Sequence, residues 1–167
     1  SIVYIPVKVL SDVKKCVAGY ASTYAVKSDG TLWAWGRNEY GELGDGTKEE
    51  RHAPVCIMTD VADVAAARLG GYGAMALKTD GTLWILGEKN SQILADVKTM
   101  SVGADFKAAV KQDATLWTWG KGGSGQLGTG SYDDKDFPVM IMEEVDSVDC
   151  GYLNSIALKK DGSVYTW

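Results

Sequence analysis

The fold of this chain is decided by the stretch Lys27-Ser28-Asp29-Gly30-Thr31-Leu32-Trp33-Ala34-Trp35-Gly36. The stretch returns three times, over residues 78–87, 111–120 and 159–167. An Asp-Gly pair between two apolar runs is a strong local signal for a β-hairpin, which we expect to be closed by a two-residue type I′ turn. Ala114 replaces the glycine in the third copy, and we expect a strained turn or another turn type there, because alanine resists a positive φ. Four copies of one hairpin predict a repeat architecture.

A strand pattern precedes each hairpin. Eleven residues before the turn glycine, or before Ala114, lies another glycine, and six residues before that lies a valine; the pairs are Val13/Gly19, Val64/Gly70, Val97/Gly103 and Val145/Gly151. Between valine and glycine, apolar residues alternate with mostly polar ones, which predicts a half-buried strand. In the second copy this strand is predicted to carry Ala67 and Leu69 on its apolar face and Arg68 between them. A second strand then leads into each hairpin.

Two copies continue beyond the hairpin into a Gly-rich loop, residues 38–46 and 123–130, and then into a fourth strand that starts at Pro54 or Pro138. In the second copy, residues 88–95 are expected to replace both the loop and the fourth strand. Residues 6–9 fit the fourth-strand slot, because Pro6 lies seven residues before Val13. Four short strands in about 40 to 50 residues predict an all-β fold, a β-propeller of four-stranded antiparallel blades, present as a partial ring or as a ring completed by oligomerisation.

We therefore predict a single repeat domain over residues 1–167. Its parts are residues 1–12 (a strand completing a neighbouring or the last blade), 13–60 (repeat 1), 61–96 (repeat 2, abbreviated), 97–144 (repeat 3) and 145–167 (repeat 4, truncated).

The composition of the chain argues against several classes of function. The formal net charge of −5 and the sequence pI near 4.9 argue against nucleic acid as a partner, because a phosphate-binding surface needs a basic patch. No apolar run approaches the roughly 18 residues of a membrane span, so we expect no membrane insertion. The three cysteines, Cys16, Cys56 and Cys150, form no disulfide framework and are expected to be buried structural thiols.

No catalytic or cofactor site is predicted. His52 is the only histidine and lies in a charged loop, so no nucleophile and base can be paired at a defined spacing. The acidic residues Asp133, Asp134 and Asp136 lack a regular calcium-ligand spacing, which favours a solvated loop over a metal site. Residues 121–130 are rich in glycine but lack the Gly-Lys-Ser/Thr ending of a phosphate loop. We expect a non-enzymatic protein without cofactor or metal.

The repeated pattern resembles the regulator of chromosome condensation (RCC1-like) repeat family. It reads Val-x5-Gly, then Ala-Leu/Val-Lys-x-Asp-Gly-x-Leu-Trp-x-Trp-Gly, then Asn-x-x-Gly-Glu/Gln-Leu-Gly-x-Gly and Pro-Val. Residues 13–57 and 97–141 match over the whole pattern, and residues 64–87 and 145–167 match over its first three strands. The resemblance implies a propeller, usually of seven blades, whereas this chain carries between three and four repeats. The sequence of the repeated stretch is similar to that of bacterial members of the family, many of which are secreted or surface-attached. This similarity favours an extracellular or cell-surface location.

The loop after each strand glycine is the most variable part of the repeat, and equivalent loops of a propeller gather at one end of the ring. Variation on one face of a repeat scaffold often marks the binding surface, and aromatic residues are favoured in protein interfaces. The candidate partner-binding residues are Tyr20, Thr23, Tyr72, Asp105, Phe106, Tyr152 and Asn154. The alternative is that these aromatic side chains cap the cores of the blades.

We therefore expect a protein–protein interaction scaffold that binds a partner of unknown identity through one face, with self-association that completes the ring as a further interaction. One alternative is a regulatory domain with exchange activity on a small GTPase. Another is a glycan-binding propeller, suggested by the six tryptophans on the third strands. Packing between blades is the favoured role for those tryptophans, because an i, i+2 spacing places both members of a pair on one face of a strand.

Overall fold

The computed structural model describes residues 5–68 and 73–167, which form fifteen strands in four antiparallel sheets and contain no helix. The first sheet consists of β1 (Val13–Ala18), β2 (Ser22–Lys27), β3 (Leu32–Gly36) and β4 (Arg51–Met58). The second consists of β5 (Val61–Ala66), β6 (Ala74–Lys78), β7 (Leu83–Leu86) and β8 (Ser91–Leu94). The third consists of β9 (Val97–Val102), β10 (Phe106–Lys111), β11 (Leu116–Gly120) and β12 (Lys135–Met142). The fourth consists of β13 (Val145–Cys150), β14 (Ser155–Lys159) and β15 (Val164–Thr166).

The prediction of an all-β fold built from four-stranded antiparallel sheets is confirmed. Strands that follow one another in the chain are neighbours in each sheet, so every sheet is a simple meander. The expectation that residues 88–95 replace the fourth strand of repeat 2 is wrong, because the short strand β8 pairs with β7 there, with Trp84 opposite Gln92. Residues 5–12 form no strand, and the role of residues 1–12 as a strand of another blade stays a prediction.

The hairpin turns have three loop residues rather than the expected two. Gly30 N–H donates to the carbonyl of Lys27 at 3.0 Å, and Gly30 has a φ of +83°, whereas Asp29 does not have a positive φ. This is a type I turn followed by one left-handed residue, a common three-residue hairpin. Ala114 keeps the same turn at a φ of +68°, so the expected strain at this alanine is confirmed.

The Thr and Trp of the repeated stretch complete the turn. The Asp29 carboxylate accepts hydrogen bonds from the Thr31 backbone N–H (2.9 Å) and the Thr31 hydroxyl (2.6 Å). The Trp33 indole N–H in turn donates to that hydroxyl at 2.9 Å. Because the Asp, Thr and Trp are spaced two residues apart, one side of the hairpin carries the whole chain of hydrogen bonds, and it recurs at residues 80–84 and 113–117.

The predicted register of the first strand in repeat 2 is wrong by three residues. Val61, not Val64, occupies the position of Val97, since Val61 lies opposite Lys78 as Val97 lies opposite Lys111. The strand β5 ends at Ala66, so Ala67 and Arg68 lie beyond it, and Leu69 falls outside the described residues. The pattern was misleading because Val61 and Ala76 are three residues further apart in the sequence than the corresponding Val97 and Ala109.

The sheets pack face to face in chain order, and each pair shares a core. Residues 24, 26, 32 and 34 of the first sheet contact residues 61, 64, 74, 76 and 86 of the second. Corresponding positions of the second and third sheets, and of the third and fourth, form the other two cores. The second and third sheets therefore pack through both faces: the incoming face lies on the preceding sheet and the outgoing face on the next. Among the described residues, the first sheet packs only through its outgoing face and the fourth only through its incoming face.

The Gly-rich loops lock neighbouring sheets together through one buried leucine each. Leu43 and Leu127 are both fully buried, and Leu43 belongs to the core between the first and second sheets. The loop carbonyls reach the next sheet, where Gly44 O accepts from the Asn90 side-chain amide at 2.8 Å and Gln126 O accepts from the Trp167 indole at 2.9 Å. Repeat 2 has only four residues between β7 and β8, so it places no such loop against the third sheet.

The expectation that all three cysteines are buried is wrong. Cys16 lies on the incoming face of the first sheet, which no described sheet covers, and it is exposed. Cys56 is exposed on the outer strand β4. Cys150, on β13, is half-buried.

Candidate functional site

The variable loops lie at one end of the sheets, together with the ends of the third strands. We call residues 19–21, 103–105 and 151–154 the rim loops; each connects the first and second strand of a sheet. Arg37 N–H, just after β3, donates to the carbonyl of Ala21 at 2.9 Å, and Lys121 N–H donates to that of Asp105 at 2.9 Å. The Gly-rich loops therefore leave from the same end as the rim loops, while the Asp-Gly turns lie at the opposite end.

The structure leaves four of the predicted site residues exposed. Tyr20 and Tyr152 are each 54% exposed, and Asp105 and Asn154 are also exposed. Leu153, which the sequence prediction did not include, is exposed beside Tyr152. Two aromatic side chains and one aliphatic side chain at the rim are thus each more than 40% exposed.

Of the other predicted residues, Phe106 is buried, Thr23 is half-buried within a strand, and Tyr72 lies outside the described residues. Phe106 is fully buried, with its ring against the backbone of Gly103, where an added Cβ would lie 2.1 Å from the ring. The prediction of Phe106 as a partner contact is therefore wrong, and the alternative role of capping the blade core applies to it. Thr23 lies within β2 and is half-buried. Tyr72 falls outside the described residues.

A cavity of about 440 Å³ opens where the first strands of all four sheets converge. Its lining residues from the four first strands include Lys15, Ala65, Ser101 and Asp149. Tyr152 stands at its edge, together with Gly103, Ala104 and Gly151 of the rim loops. Of the predicted site residues, Tyr152 lines the cavity, while Tyr20, Asp105 and Asn154 do not.

A hydrogen-bonded group in the lining of the cavity joins the third and fourth sheets. The Ser101 hydroxyl donates to the Asp149 carboxylate at 2.9 Å, and the Cys150 backbone N–H donates to the Ser101 hydroxyl at 3.0 Å. Burial raises the pKa of the Cys150 thiol to about 12, despite the hydrogen bond from Ser101. The thiol therefore stays protonated at neutral pH, and Cys150 is not equipped to act as a nucleophile.

Charged side chains border the cavity and the rim. Lys15 forms an ion pair with Asp63 across the first and second sheets. Burial lowers the pKa of Lys107, on β10, and the nearby Asp105 opposes that shift. Sequence reasoning did not select Lys15, Ser101, Lys107 or Asp149 as site residues. The sequence did contain a signal for Ser101 and Asp149, because each is a polar residue between two apolar residues on a first strand and therefore lies on the opposite face from them.

The described residues offer no constellation for metal binding. No group of three or more His, Cys, Asp or Glu side chains within residues 5–68 and 73–167 is arranged to hold a metal ion. The His52 side chain is 86% exposed and lies 3.8 Å from Glu50. A transmembrane helix is also absent from this part of the chain.

The tryptophans are engaged within the sheets. Trp119 belongs to the core between the second and third sheets, and Trp167 packs against the core between the third and fourth. Trp33 and Trp117 donate to the turn threonines, and lysine ammonium groups lie 5.9 Å and 5.8 Å from their ring centres. Packing between sheets is confirmed for Trp119 and Trp167.

Comparison with known proteins agrees with this architecture. The sequence model of the regulator of chromosome condensation (RCC1) repeat matches residues 29–77 and 113–158, and a second model with the same description matches residues 13–42. The E3 ubiquitin-protein ligase HERC2 of Homo sapiens is 30% identical over 156 residues, which cover 87% of this chain and 2% of HERC2. The protein RCC2 homolog of Danio rerio is 37% identical over 84 residues, which cover 47% of this chain and 17% of that protein.

Solved structures share the fold. Human WBSCR16 superposes with a TM-score of 0.77 at 24% identity, covering 89% of this chain and 44% of that one. Prp20p of Saccharomyces cerevisiae, described with its binding to Gsp1p and histones, superposes with a TM-score of 0.78 at 20% identity, covering 90% of this chain and 45% of that one. The described sheets are thus a partial ring of β-propeller blades, as predicted. With the repeat model matching more than half of its residues, this chain belongs to the regulator of chromosome condensation (RCC1) repeat family.

Proposed function

We propose that this chain is a protein-interaction domain that binds a protein partner through its rim loops and the cavity beside them. The observation that carries the proposal is the position of Tyr152, half-exposed at the edge of a cavity formed by all four first strands. An aromatic side chain beside a recess is the usual centre of a protein interface, because it buries a large area at low entropic cost.

The lining of the recess combines polar and apolar groups. Ser101 and Asp149 line it from the third and fourth sheets and Tyr152 lines it from a rim loop, where the exposed Leu153 follows in the chain. Such a surface suits a partner loop that inserts a hydrogen-bonding side chain and packs its flanks on the rim. Together with the net charge of −5, this favours a protein partner over a nucleic acid.

The binding experiment compares variants of two exposed tyrosines. Partners captured by cross-linking from cells of the source organism are identified and purified, and their dissociation constants are measured for the wild type, Tyr152→Ser and Tyr132→Ser. Tyr132 is 75% exposed just after the Gly-rich loop of repeat 3 and does not line the cavity, so it serves as the control. We expect Tyr152→Ser to weaken binding at least about 30-fold and Tyr132→Ser to change it less than about twofold. Equal affinities for all three proteins would refute the rim as the binding surface.

An exchange-factor-like regulatory role is tested by release of labelled nucleotide from purified small GTPases. If the wild type accelerates nucleotide release and Tyr152→Ser abolishes that acceleration, the regulatory function replaces the scaffold function. A glycan-binding role would require a change of tryptophan fluorescence on adding sugars. We expect none, because the Trp33, Trp117 and Trp167 indoles are already hydrogen-bonded within the sheets.

We further propose that the domain acts outside the cell or at its surface. This proposal is supported by the similarity of the repeated stretch to bacterial members that are secreted or surface-attached. Protease treatment of intact cells of the source organism tests it, with a cytoplasmic protein as the control. Degradation of this chain while the control protein survives is expected, and protection of both would place the chain inside.

A further inference from the structure

Two side chains near the rim end of the second, third and fourth sheets face the preceding sheet, one on the second strand and one opposite it on the third. In the fourth sheet they are Ser155 and Trp167, whose backbone groups pair with each other. The Ser155 hydroxyl and the Trp167 indole both donate to the Gln126 carbonyl of the Gly-rich loop in repeat 3, each at 2.9 Å. A loop carbonyl from the preceding repeat thus provides the acceptor for both donors.

The third sheet carries two donors at the same positions, but no loop carbonyl reaches them. The donors are Lys107 and Trp119, which lie opposite each other on β10 and β11. Trp119 is 3% exposed, and its indole nitrogen has no hydrogen-bond partner among the described residues. In the second sheet the corresponding pair is Ala74 and Leu86, neither of which has a side-chain donor. The junction between the second and third sheets therefore combines two donors with a missing acceptor.

The short connection between β7 and β8, residues 87–90, is engaged elsewhere. The Asn90 side-chain amide donates to the Gly44 carbonyl in the loop of repeat 1 at 2.8 Å. Glu88 forms an ion pair with Lys48, which follows that loop, at 3.0 Å. These contacts hold the connection against the first repeat, on the side of the second sheet that faces away from the third. An acceptor for the donors of the third sheet must therefore come from another segment or another molecule.

Two cationic side chains stand at this junction, and neither forms an ion pair within the described residues. Arg68 follows β5, is exposed and lines the cavity. Lys107 reaches the base of the same loop, because a Cβ built on Gly73 would lie 3.4 Å from the ammonium nitrogen. The Gly73 carbonyl accepts from the N–H of Ala67, the residue before Arg68, at 2.9 Å. Burial lowers the pKa of Lys107, and the nearby Asp105 opposes this shift without outweighing it, so the ammonium group lacks a sufficient counter-charge.

We propose that the rim end of the junction between the second and third sheets binds an acidic segment of the protein partner, whose carboxylates are held by Arg68 and Lys107. This inference rests on the proposed function and names the chemistry of the partner. Carboxylates suit the site because hydrogen bonds between charged groups are stronger than those between neutral groups. The chain as a whole carries a net charge of −5, so these two cations mark a place where an acidic segment is attracted rather than repelled.

The first test uses a short fluorescein-labelled peptide of alternating glutamate and serine, and a second peptide with glutamine in place of glutamate. Fluorescence anisotropy at an ionic strength of about 0.15 M measures the dissociation constants. We expect the glutamate peptide to bind at least about tenfold more tightly than the glutamine peptide, and Arg68→Gln and Lys107→Gln each to remove most of that difference. Arg68 is exposed and outside the strands, so its variant tests the site without disturbing a core.

Lys160→Gln is the control variant for the same assay. Lys160 is exposed beside an Asp-Gly turn, at the end of the sheets opposite to the rim, and its replacement removes the same unit of charge. We expect it to change the affinity for the glutamate peptide less than about twofold. Equal affinities of the wild type for the two peptides, or equal losses in all three variants, overturn the proposal.

The second test locates the bound peptide by nuclear magnetic resonance of the indole N–H groups. The Trp119 resonance is assigned by its loss in Trp119→Phe. Because Trp119 lies opposite Lys107, we expect its resonance to shift when the glutamate peptide is added, while that of Trp33, at the turn end of the first sheet, stays in place. No shift of the Trp119 resonance, or an equal shift of both, overturns the assignment of the site.

The purified partner separates a failure of this inference from a failure of the proposed function. If Tyr152→Ser weakens partner binding while Arg68→Gln and Lys107→Gln leave it unchanged, the rim remains the binding surface and the acidic segment is refuted. If none of the three variants changes the affinity, both proposals fail. Loss of binding in all three, with Lys160→Gln unchanged, is the expected result.

Discussion

The indole of Trp119 is a buried donor for which the described residues provide no acceptor, and this makes its replacement an informative perturbation. Trp119 is 3% exposed in the core between the second and third sheets, and its Nε1 has no hydrogen-bond partner among those residues. A buried donor without a partner costs about 1–3 kcal/mol. Exchanging the indole for a phenyl ring removes that donor, while the smaller ring costs about 1 kcal/mol of packing. We therefore expect Trp119→Phe to leave the free energy of unfolding unchanged or to raise it by up to about 2 kcal/mol.

Trp167→Phe is the matched comparison. Trp167 occupies the same position in the fourth sheet, but its indole N–H donates to the Gln126 carbonyl of the Gly-rich loop at 2.9 Å. The same side-chain change there removes a hydrogen bond worth about 1 kcal/mol in addition to the packing loss, so a destabilisation of about 2 kcal/mol is expected. Urea unfolding followed by circular dichroism at one fixed protein concentration measures both. A loss of more than about 2 kcal/mol in Trp119→Phe would show that the indole has a partner and would refute the reasoning.

Three further predictions follow from the loops and turns. Leu127→Ala, which empties a fully buried site of the Gly-rich loop, should lower the free energy of unfolding by about 3 kcal/mol in the same urea assay. Ala114→Gly should raise it by up to about 1 kcal/mol, because glycine accepts the φ of +68° without strain; a loss would show that the alanine methyl contributes more by packing. Burial raises the pKa of Asp45, but hydrogen bonds from Arg51, Thr47 and Asn38 outweigh this and hold it below the ordinary value of 3.8. Its stabilising contribution should therefore be complete above about pH 4 and disappear as the pH falls further, and Asp45→Asn should flatten this part of the stability profile.

The repeated stretch was sufficient to predict the sheets but not the details of their turns. Alternation of apolar and polar residues has a period of two in any strand, so the number and type of strands follow from it directly. The turn type does not, because Asp-Gly suits both a two-residue type I′ turn and a three-residue turn with only the glycine left-handed. The additional Thr31, which binds Asp29 and Trp33 in one chain of hydrogen bonds, accompanies the longer turn.

The candidate site was predictable only in part. The exposed Tyr20 and Tyr152 could be placed at the rim because each follows directly on the glycine, Gly19 or Gly151, that ends the pattern of the first strand. Phe106 lies three residues after Gly103, as the exposed Asn154 lies three residues after Gly151. Phe106 nevertheless begins β10, and its ring fills the space beside Gly103. The cavity itself depends on how four first strands converge, which is a property of sheet packing and leaves no local signal in the sequence.

The irregular second repeat explains features that are otherwise unrelated. Loss of the Gly-rich loop removes the buried leucine that locks the other junctions, and it also removes the carbonyl that an indole at position 119 would bind. The core residues Met75 and Met100 stand at this junction, where the first junction has Tyr24 and Val64 at the corresponding positions. Flexible methionine side chains fill irregular space well, so they can partly replace the missing leucine. The junction between the second and third sheets is thus held by side-chain packing and by the hydrogen bond from the Val97 N–H to the Gly81 carbonyl (2.9 Å), without a leucine from a Gly-rich loop. The Trp119 and Leu127 variants measure how much the loops add at the other junctions.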